Sequence, residues 1–430
     1  MNVTEASVSP SPRTESDTKQ ALLQRVNGLL ANQWICAGAI FLVTRAVALL
    51  GGYSGVAQLV ASDSTYDKTW HIELGLMWDA AWYARLADNH YFYDPNVTGG
   101  TNVAFAPLYP FLVWLLSNVL EWMTFGWNWG DPDYGSIVAA GLLVSNVSFY
   151  FALALLIQLL RPRFGWGGAS LVALGLASLP LSFFFSALYT EGLFLLLVVG
   201  AFLVARSDWP NKWLVAGLLG MLAALDKFAG ALLFPVLGVE YLAQRGWQWR
   251  KVRADVLWLL LVPAGIGIFL TFLWWKFGTP WAINESMLKG WDHKPSFFLG
   301  TYWESVVRLW QSLTGTWQGD ADPVLYYGNG SRLYIFLDLL MPLYLLIGAA
   351  VAWRKVRASE WTFLVLGIIY PLSTNITFSL ARYVLPLWPG LLWLGTLRGR
   401  ARWIGGAAIL VSLGLLYWCS RIYGSARWIG

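Results

Sequence analysis

The sequence predicts an all-α fold, a polytopic bundle of transmembrane helices. Three observations predict it. Of 430 residues 57% are hydrophobic and 12% charged, against roughly 25% charged in a soluble domain. The apolar runs Val256 to Trp275, Tyr334 to Trp353 and Trp361 to Phe378 each approach the roughly 20 residues that cross a bilayer as a helix. Lys and Arg gather in short clusters between such runs, as the positive-inside rule expects of cytoplasmic loops.

Residues 1 to 32 open with a Ser-, Thr- and Pro-rich stretch without an apolar core. They read as a disordered cytoplasmic tail and not as a signal peptide. Placing Arg161/Arg163, Arg206 with Lys212, Arg245 to Arg253, Arg354 to Arg357 and Arg398 to Arg402 inside then orders the spans. They are Ile35 to Val60, Gly135 to Leu160, Ala169 to Leu188, Gly192 to Ala205, Trp213 to Leu225 and Gly230 to Leu242. Val256 to Trp275, Tyr334 to Trp353, Trp361 to Phe378, Tyr383 to Leu397 and Trp403 to Cys419 follow, which makes about eleven crossings within one domain, 33–430.

Phe105 to Trp122 is apolar as well, but counting it as a span would put the Arg161 cluster outside or the first loop inside. It reads as a juxtamembrane helix, opened by Pro107 and Pro110. Two long loops, 61–134 and 276–332, then share the outer side, and long loops without a spanning duty are where function concentrates. Their Trp and Tyr suit an interfacial belt and also suit stacking on sugar rings.

The excess of five positive charges forms no stripe that would track nucleic acid, so no nucleic-acid partner is expected. Cys36 and Cys419 stand alone in apolar segments, without the spacing of a disulfide framework or zinc site. Asp88, His90 and Asp94 alternate in the first loop but match no ligand pattern, and His71 and His293 are isolated; no metal is expected. Asn-x-Ser/Thr sequons occur at Asn96 and Asn329, in the outer loops.

Candidates for chemistry are ionisable groups at membrane depth, where burial is expensive and usually functional. In the stretch from Trp78 to Ala87, Asp79 shares a helical face with Trp82, Tyr83 and Leu86. A carboxylate so shielded can take a proton from a substrate hydroxyl, although an Asp opening a helix also serves as an N-cap. Arg45, Glu191, the pair Asp226-Lys227 and Arg382 complete the set, and all but Arg45 fall near one membrane face. Arg and Lys suit a phosphate; Asp226 or Glu191 pairing with them only to neutralise the bundle is the alternative.

In order, the motifs resemble the GPI mannosyltransferase 2 (class V) family and its prokaryotic relatives in the C-type glycosyltransferase superfamily. The likeness runs from about Arg45 to Pro389. It rests on Trp78-Asp79-Ala80-Ala81-Trp82-Tyr83, Phe105 to Pro110 with Tyr109, Tyr189-Thr190-Glu191-Gly192-Leu193-Phe194, and Arg382-Tyr383 with Pro386 and Pro389. Ala80, Ala106 and Lys227 depart from its usual Gly, Phe and Arg.

The resemblance implies a C-type fold and an inverting transferase, a mannosyltransferase first among them. The donor would be a polyprenyl-phosphate sugar, used as a co-substrate without a further cofactor. Asp79 would act as the base, with Lys227, Arg382 and Arg45 holding the donor phosphate. Trp78, Trp82, Tyr83, Tyr109, Glu191 and Asp226 would support the substrates. The expected partners are membrane lipids, the donor and a hydroxyl acceptor. The expected site faces the periplasm from a bacterial inner membrane, or the ER lumen in a eukaryote. A transferase of another lipid-linked sugar and a lipid or sugar transporter are the competing readings; Arg45, alone in the first span, suits the transporter better.

Overall fold

The computed structural model describes residues 32–62, 76–97, 100–124, 134–316, 332–375, 377, 379–427 and 429. The tail expected at 1–32 therefore lies, but for its last residue, outside the described residues, as do His71 and the sequon at Asn329. Among the described residues the fold is helical, and the only bridge, Pro295 to Thr374, is isolated.

Apolar sequence makes the first long helix, α1 (Gln33–Ser62). The first loop then contributes α2 (Asp79–Asn89) and α3 (Leu108–Met123). α4 (Gly135–Ala177) is two helices in one, broken at Gly165, whose φ of 68° is a left-handed value that glycine adopts freely. The span expected to run from Ala169 to Leu188 stops at Ala177 and gives way to turns and a 3-10 stretch, Ser182–Phe185. α5 (Glu191–Ala205), α6 (Lys212–Asp226), the 3-10 stretch Phe228–Leu232, α7 (Leu233–Gln244) and α8 (Leu261–Phe277) follow.

The second loop carries α9 (Ala282–Trp291) and the amphipathic α10 (Phe298–Thr314), neither foreseen as helix. The chain closes with α11 (Arg332–Val351), α12 (Ala358–Leu372), α13 (Leu380–Tyr383), α14 (Leu392–Thr396) and α15 (Arg402–Gly424).

Five of the described helical segments are long and apolar enough to cross a membrane: Gln33–Ala61, Gly135–Ala177, Ala254–Phe277, Tyr334–Val351 and Gly399–Gly424. The other expected crossings are shorter. α5, α6 and α12 have 15 residues each, or about 22 Å at 1.5 Å per residue, less than a hydrocarbon core of roughly 30 Å. The expected span Tyr383 to Leu397 is not one helix. Pro386 and Pro389 lack N–H donors, and the chain there runs as α13, turns, a 3-10 stretch Trp388–Leu391 and α14. Irregular backbone of this kind is tolerated in an apolar setting when protein covers it, and Val384 to Leu392 is buried throughout.

α1 packs along α15 and α4, so both ends of the described chain close on the same bundle, and α5 lies between α4 and α6. α3 packs on α4 and α2. It buries Tyr109, Val113 and Ser117 and leaves Phe111, Trp114, Leu115 and Trp122 outside, an apolar face suited to acyl chains.

Candidate active site

α2 begins after a sharp bend at Trp78, a non-glycine residue at φ 60°, a backbone value that is strained and concentrates at functional sites. The bend makes Trp78 the N-cap, and no side chain caps the helix, so the Asp79 carboxylate is not spent on capping. Ala80, Ala84 and Ala87 are buried, and these small side chains let the helix lie close against the bundle. Asp79 emerges at the first turn, where the positive end of the helix dipole favours its charge.

Arg382 approaches from α13. That short helix starts at Ser379, another non-glycine residue with positive φ, 67°. Its orientation is fixed by Asp338, buried in α11, whose carboxylate accepts the Ala381 amide at 2.7 Å. The Arg382 guanidinium meets Asp79 at 2.8 Å and reaches Glu191 at 3.6 Å. The rings of Phe184, Tyr189 and Tyr383 surround it with centroids 5.3–5.5 Å away.

Glu191 opens α5 and accepts from the Lys227 ammonium at 2.9 Å. Lys227 follows the last residue of α6, where the chain turns extended, and lies 4.7 Å from the Tyr383 ring centroid. The turn needs Gly230: a Cβ there would collide with the backbone of Ala223. Asp79, Arg382, Glu191 and Lys227 thus form one chain of alternating charges.

These four residues, with Asp226 and Tyr83, line a cavity of about 300 Å³, at the small end of the ~300–1,000 Å³ usual for ligand sites. Phe105, Phe228, Trp291 and Tyr383 give it aromatic walls, and Met287 and His293 close it from the second loop. α9 is tied over the cavity by the first loop. Ser286 donates to the Thr101 carbonyl at 2.8 Å, Tyr93 donates to Glu285 at 2.6 Å, and Lys289 donates to the Pro95 carbonyl at 2.6 Å. On the other side, the chain after α9 is tied to the segment after α12, with the Ser296 amide donating to the Ser373 carbonyl at 2.9 Å. The two loops therefore build one roof.

Of the residues singled out from sequence, the structure brings Asp79, Tyr83, Glu191, Asp226, Lys227 and Arg382 to the cavity. Arg45 stays away from it. Its guanidinium donates to the Ser182 carbonyl (2.6 Å), the Ala177 carbonyl (2.9 Å) and the hydroxyls of Ser182 and Ser186 (3.0 and 3.2 Å), and so ties the end of α4 to the 3-10 stretch that follows it. Tyr109 is buried beneath the site, its hydroxyl held by the Gly141 carbonyl at 3.0 Å and Ser145 at 2.8 Å. Trp82 stacks on Phe105 and so braces one wall from behind.

Sequence reasoning misses Asp338 and Ser379, and it names His293 only as an isolated histidine. A lone acid inside the apolar run Tyr334 to Trp353 was the available signal for Asp338. Among the described residues no three His, Cys, Asp or Glu side chains converge as metal ligands.

No family model matches the chain, and no curated protein matches it. Among solved structures it is similar to the oligosaccharyltransferase of Archaeoglobus fulgidus in the apo form, with 14% identity, a TM-score of 0.49, and coverage of 90% of this chain and 56% of that one. The same archaeal enzyme in complex with Zn and sulfate gives 15% identity, a TM-score of 0.44, and coverage of 88% and 53%. AglB from that organism, in complex with an inhibitory peptide and a dolichol-phosphate, gives 14% identity, a TM-score of 0.41, and coverage of 89% and 55%. The chain spans just over half the length of these structures. Likeness at this level assigns neither a family nor an activity.

Proposed function

We propose that this chain is a membrane-embedded glycosyltransferase of the C-type that moves a sugar from a polyprenyl-phosphate donor to a hydroxyl acceptor, with inversion at the anomeric carbon. One observation carries the reading: Asp79 lies 2.8 Å from Arg382 in a cavity that Glu191 and Lys227 also line. A base and two cations sharing one aromatic-walled space are the parts such a transfer requires.

Asp79 takes the proton of the acceptor hydroxyl as its oxygen bonds to the anomeric carbon. The bond from that carbon to the phosphate oxygen breaks, and the lipid phosphate leaves with the electron pair. Lys227 and Arg382 meet the charge that develops on the leaving oxygen, and in a site walled by rings they act more strongly than in water. A phosphate arriving at Arg382 competes with Asp79 for the guanidinium, so donor binding itself releases the carboxylate for its work. The exposed apolar face of α3 gives the lipid chain a surface along which to approach.

Mannose is the first sugar to try, because the four motifs resemble a mannosyltransferase family. The two-loop roof is consistent with a site on the extracytoplasmic side, where the sequence puts both loops. The competing transporter reading leans on Arg45, and the four bonds that engage both terminal nitrogens of its guanidinium favour a structural role for it instead. The test is transfer from radiolabelled polyprenyl-phosphate-mannose to candidate acceptors, with wild type against Asp79→Asn. Transfer that depends on Asp79 is expected; undiminished transfer by the variant would sink the assignment of the base.

A further inference from the structure

Asp226 stands apart from the ion-pair chain. It ends α6, is 1% exposed and lines the cavity, yet neither carboxyl oxygen has a hydrogen-bond partner among the described residues. Its neighbour Lys227 gives its ammonium to Glu191 instead. Buried polar groups are nearly always hydrogen-bonded, since leaving one bare costs free energy, and an exception calls for a partner that binds.

The character of that partner follows from charge and surroundings. Phosphate pairs with cations, so the donor's anionic half belongs with Lys227 and Arg382. What suits a bare carboxyl beside Tyr83, Phe228 and Tyr383 is a neutral ligand with hydroxyls to donate and C–H faces to lay on rings, which is the chemistry of a sugar. Residues 226 and 227 would then sort the two halves of one molecule.

We propose that Asp226 is a specificity residue that accepts a hydrogen bond from one hydroxyl of the transferred sugar. This rests on the glycosyltransferase reading above. Asp226 moves no proton; it decides which sugar is held with its anomeric carbon before Asp79.

The test is a cycle between enzyme and donor, using purified full-length protein in lipid nanodiscs and polyprenyl-phosphate-mannose with each ring hydroxyl removed in turn. Wild type should lose about 3- to 100-fold in kcat/KM on one deoxy donor, the worth of a hydrogen bond to a buried carboxyl. Asp226→Ala should lose a similar factor on the complete donor and nothing further on that same deoxy donor. Asp226→Asn keeps the side chain's shape and one acceptor, and should fall between the two. Melting temperatures of both variants should equal or exceed wild type, because a buried carboxyl without a protein partner is a liability to the fold alone.

Variants that use the complete donor as well as wild type does, or that suffer the same further loss with every deoxy donor, overturn the assignment of Asp226 while leaving the transferase reading in place. A wild type that transfers nothing from any lipid-linked sugar overturns that reading and this one together.

Discussion

Among the described residues, α5 has a cluster of buried charge at each end. Glu191 opens that helix and Arg206 follows its last residue, so about 22 Å separate them. At the Arg206 end, Glu360 accepts from Arg163 and Arg206 at 2.7 and 2.8 Å and from the Arg357 amide at 2.9 Å. Glu240 accepts from Arg206 at 3.0 Å, from Gln244 at 3.0 Å and from Ser359. Every oxygen of these two acids is occupied.

At the Glu191 end the accounts are open. Arg382 reaches Glu191 only at 3.6 Å, and among the described residues one oxygen of Glu191 has no hydrogen-bond partner and Asp226 has none on either oxygen. Saturated charge can only hold helices together, whereas spare acceptor capacity beside a cavity is what a ligand can complete. The two ends therefore contain the same residue types doing different work.

Breaking the open cluster should cost activity. Asp79→Asn removes the proposed base and leaves its shape, and the expected loss in turnover is about 10²- to 10⁴-fold, read from single-turnover transfer with protein that still elutes as a folded species. Breaking the saturated cluster should do the reverse. Glu360→Ala leaves Arg163 without a carboxylate and Arg206 with Glu240 alone, which costs about 3 kcal/mol of stability or more. Denaturation in mild detergent measures it, and the fraction that remains folded should turn over at the wild-type rate. If Glu360→Ala lost turnover without losing stability, the division between the two ends would fail.

Arg45 sharpens the comparison, because it is charged and buried yet lies outside both clusters. Its fork of donors matches two carbonyls and two hydroxyls, an arrangement that a lysine ammonium cannot reproduce. Arg45→Lys should cost about 1.5–3 kcal/mol of stability and leave the donor's KM unchanged. A raised KM with unchanged stability would return Arg45 to the phosphate.

What the sequence disclosed divides along the same line. The helical class was legible because apolar run length reports directly on the solvent a helix meets. Glu191, Lys227 and Arg382 stand out because charge in apolar sequence is expensive and the cost marks it, whereas Asp79 stands out by its helical spacing to Trp82, Tyr83 and Leu86 and by the resemblance of the motif around it. None of these signals says where a charge is spent: Arg45 and Arg382 look alike as lone arginines, and only the carbonyls of Ala177 and Ser182 tell them apart. The short helices α9 and α10 hid in a polar, Trp-rich stretch that read as loop. The break at Val384 to Leu392 was announced by Pro386 and Pro389, but apolar run length outweighed them in the reading of a span.

The smallest expected effect belongs to the roof. His293 lines the cavity from the segment after α9, outside the long apolar helices, and loss of hydration holds its imidazole below the ordinary histidine range, with nearby Asp292 pulling the other way. The folded protein therefore binds this proton less readily than the unfolded chain. Its contribution is fully present above the ordinary histidine value and is lost as pH falls through it, so stability should rise with pH across that window. Melting curves from pH 7 down to about pH 5, the span in which histidine titrates, should show a steeper decline in wild type than in His293→Gln, with the two curves converging at neutral pH. Donor KM should follow the same course, because a cation on the roof disturbs the balance of charges beneath it. Parallel melting curves would mean that the imidazole is hydrated in either protonation state, and that the roof at His293 is open to water.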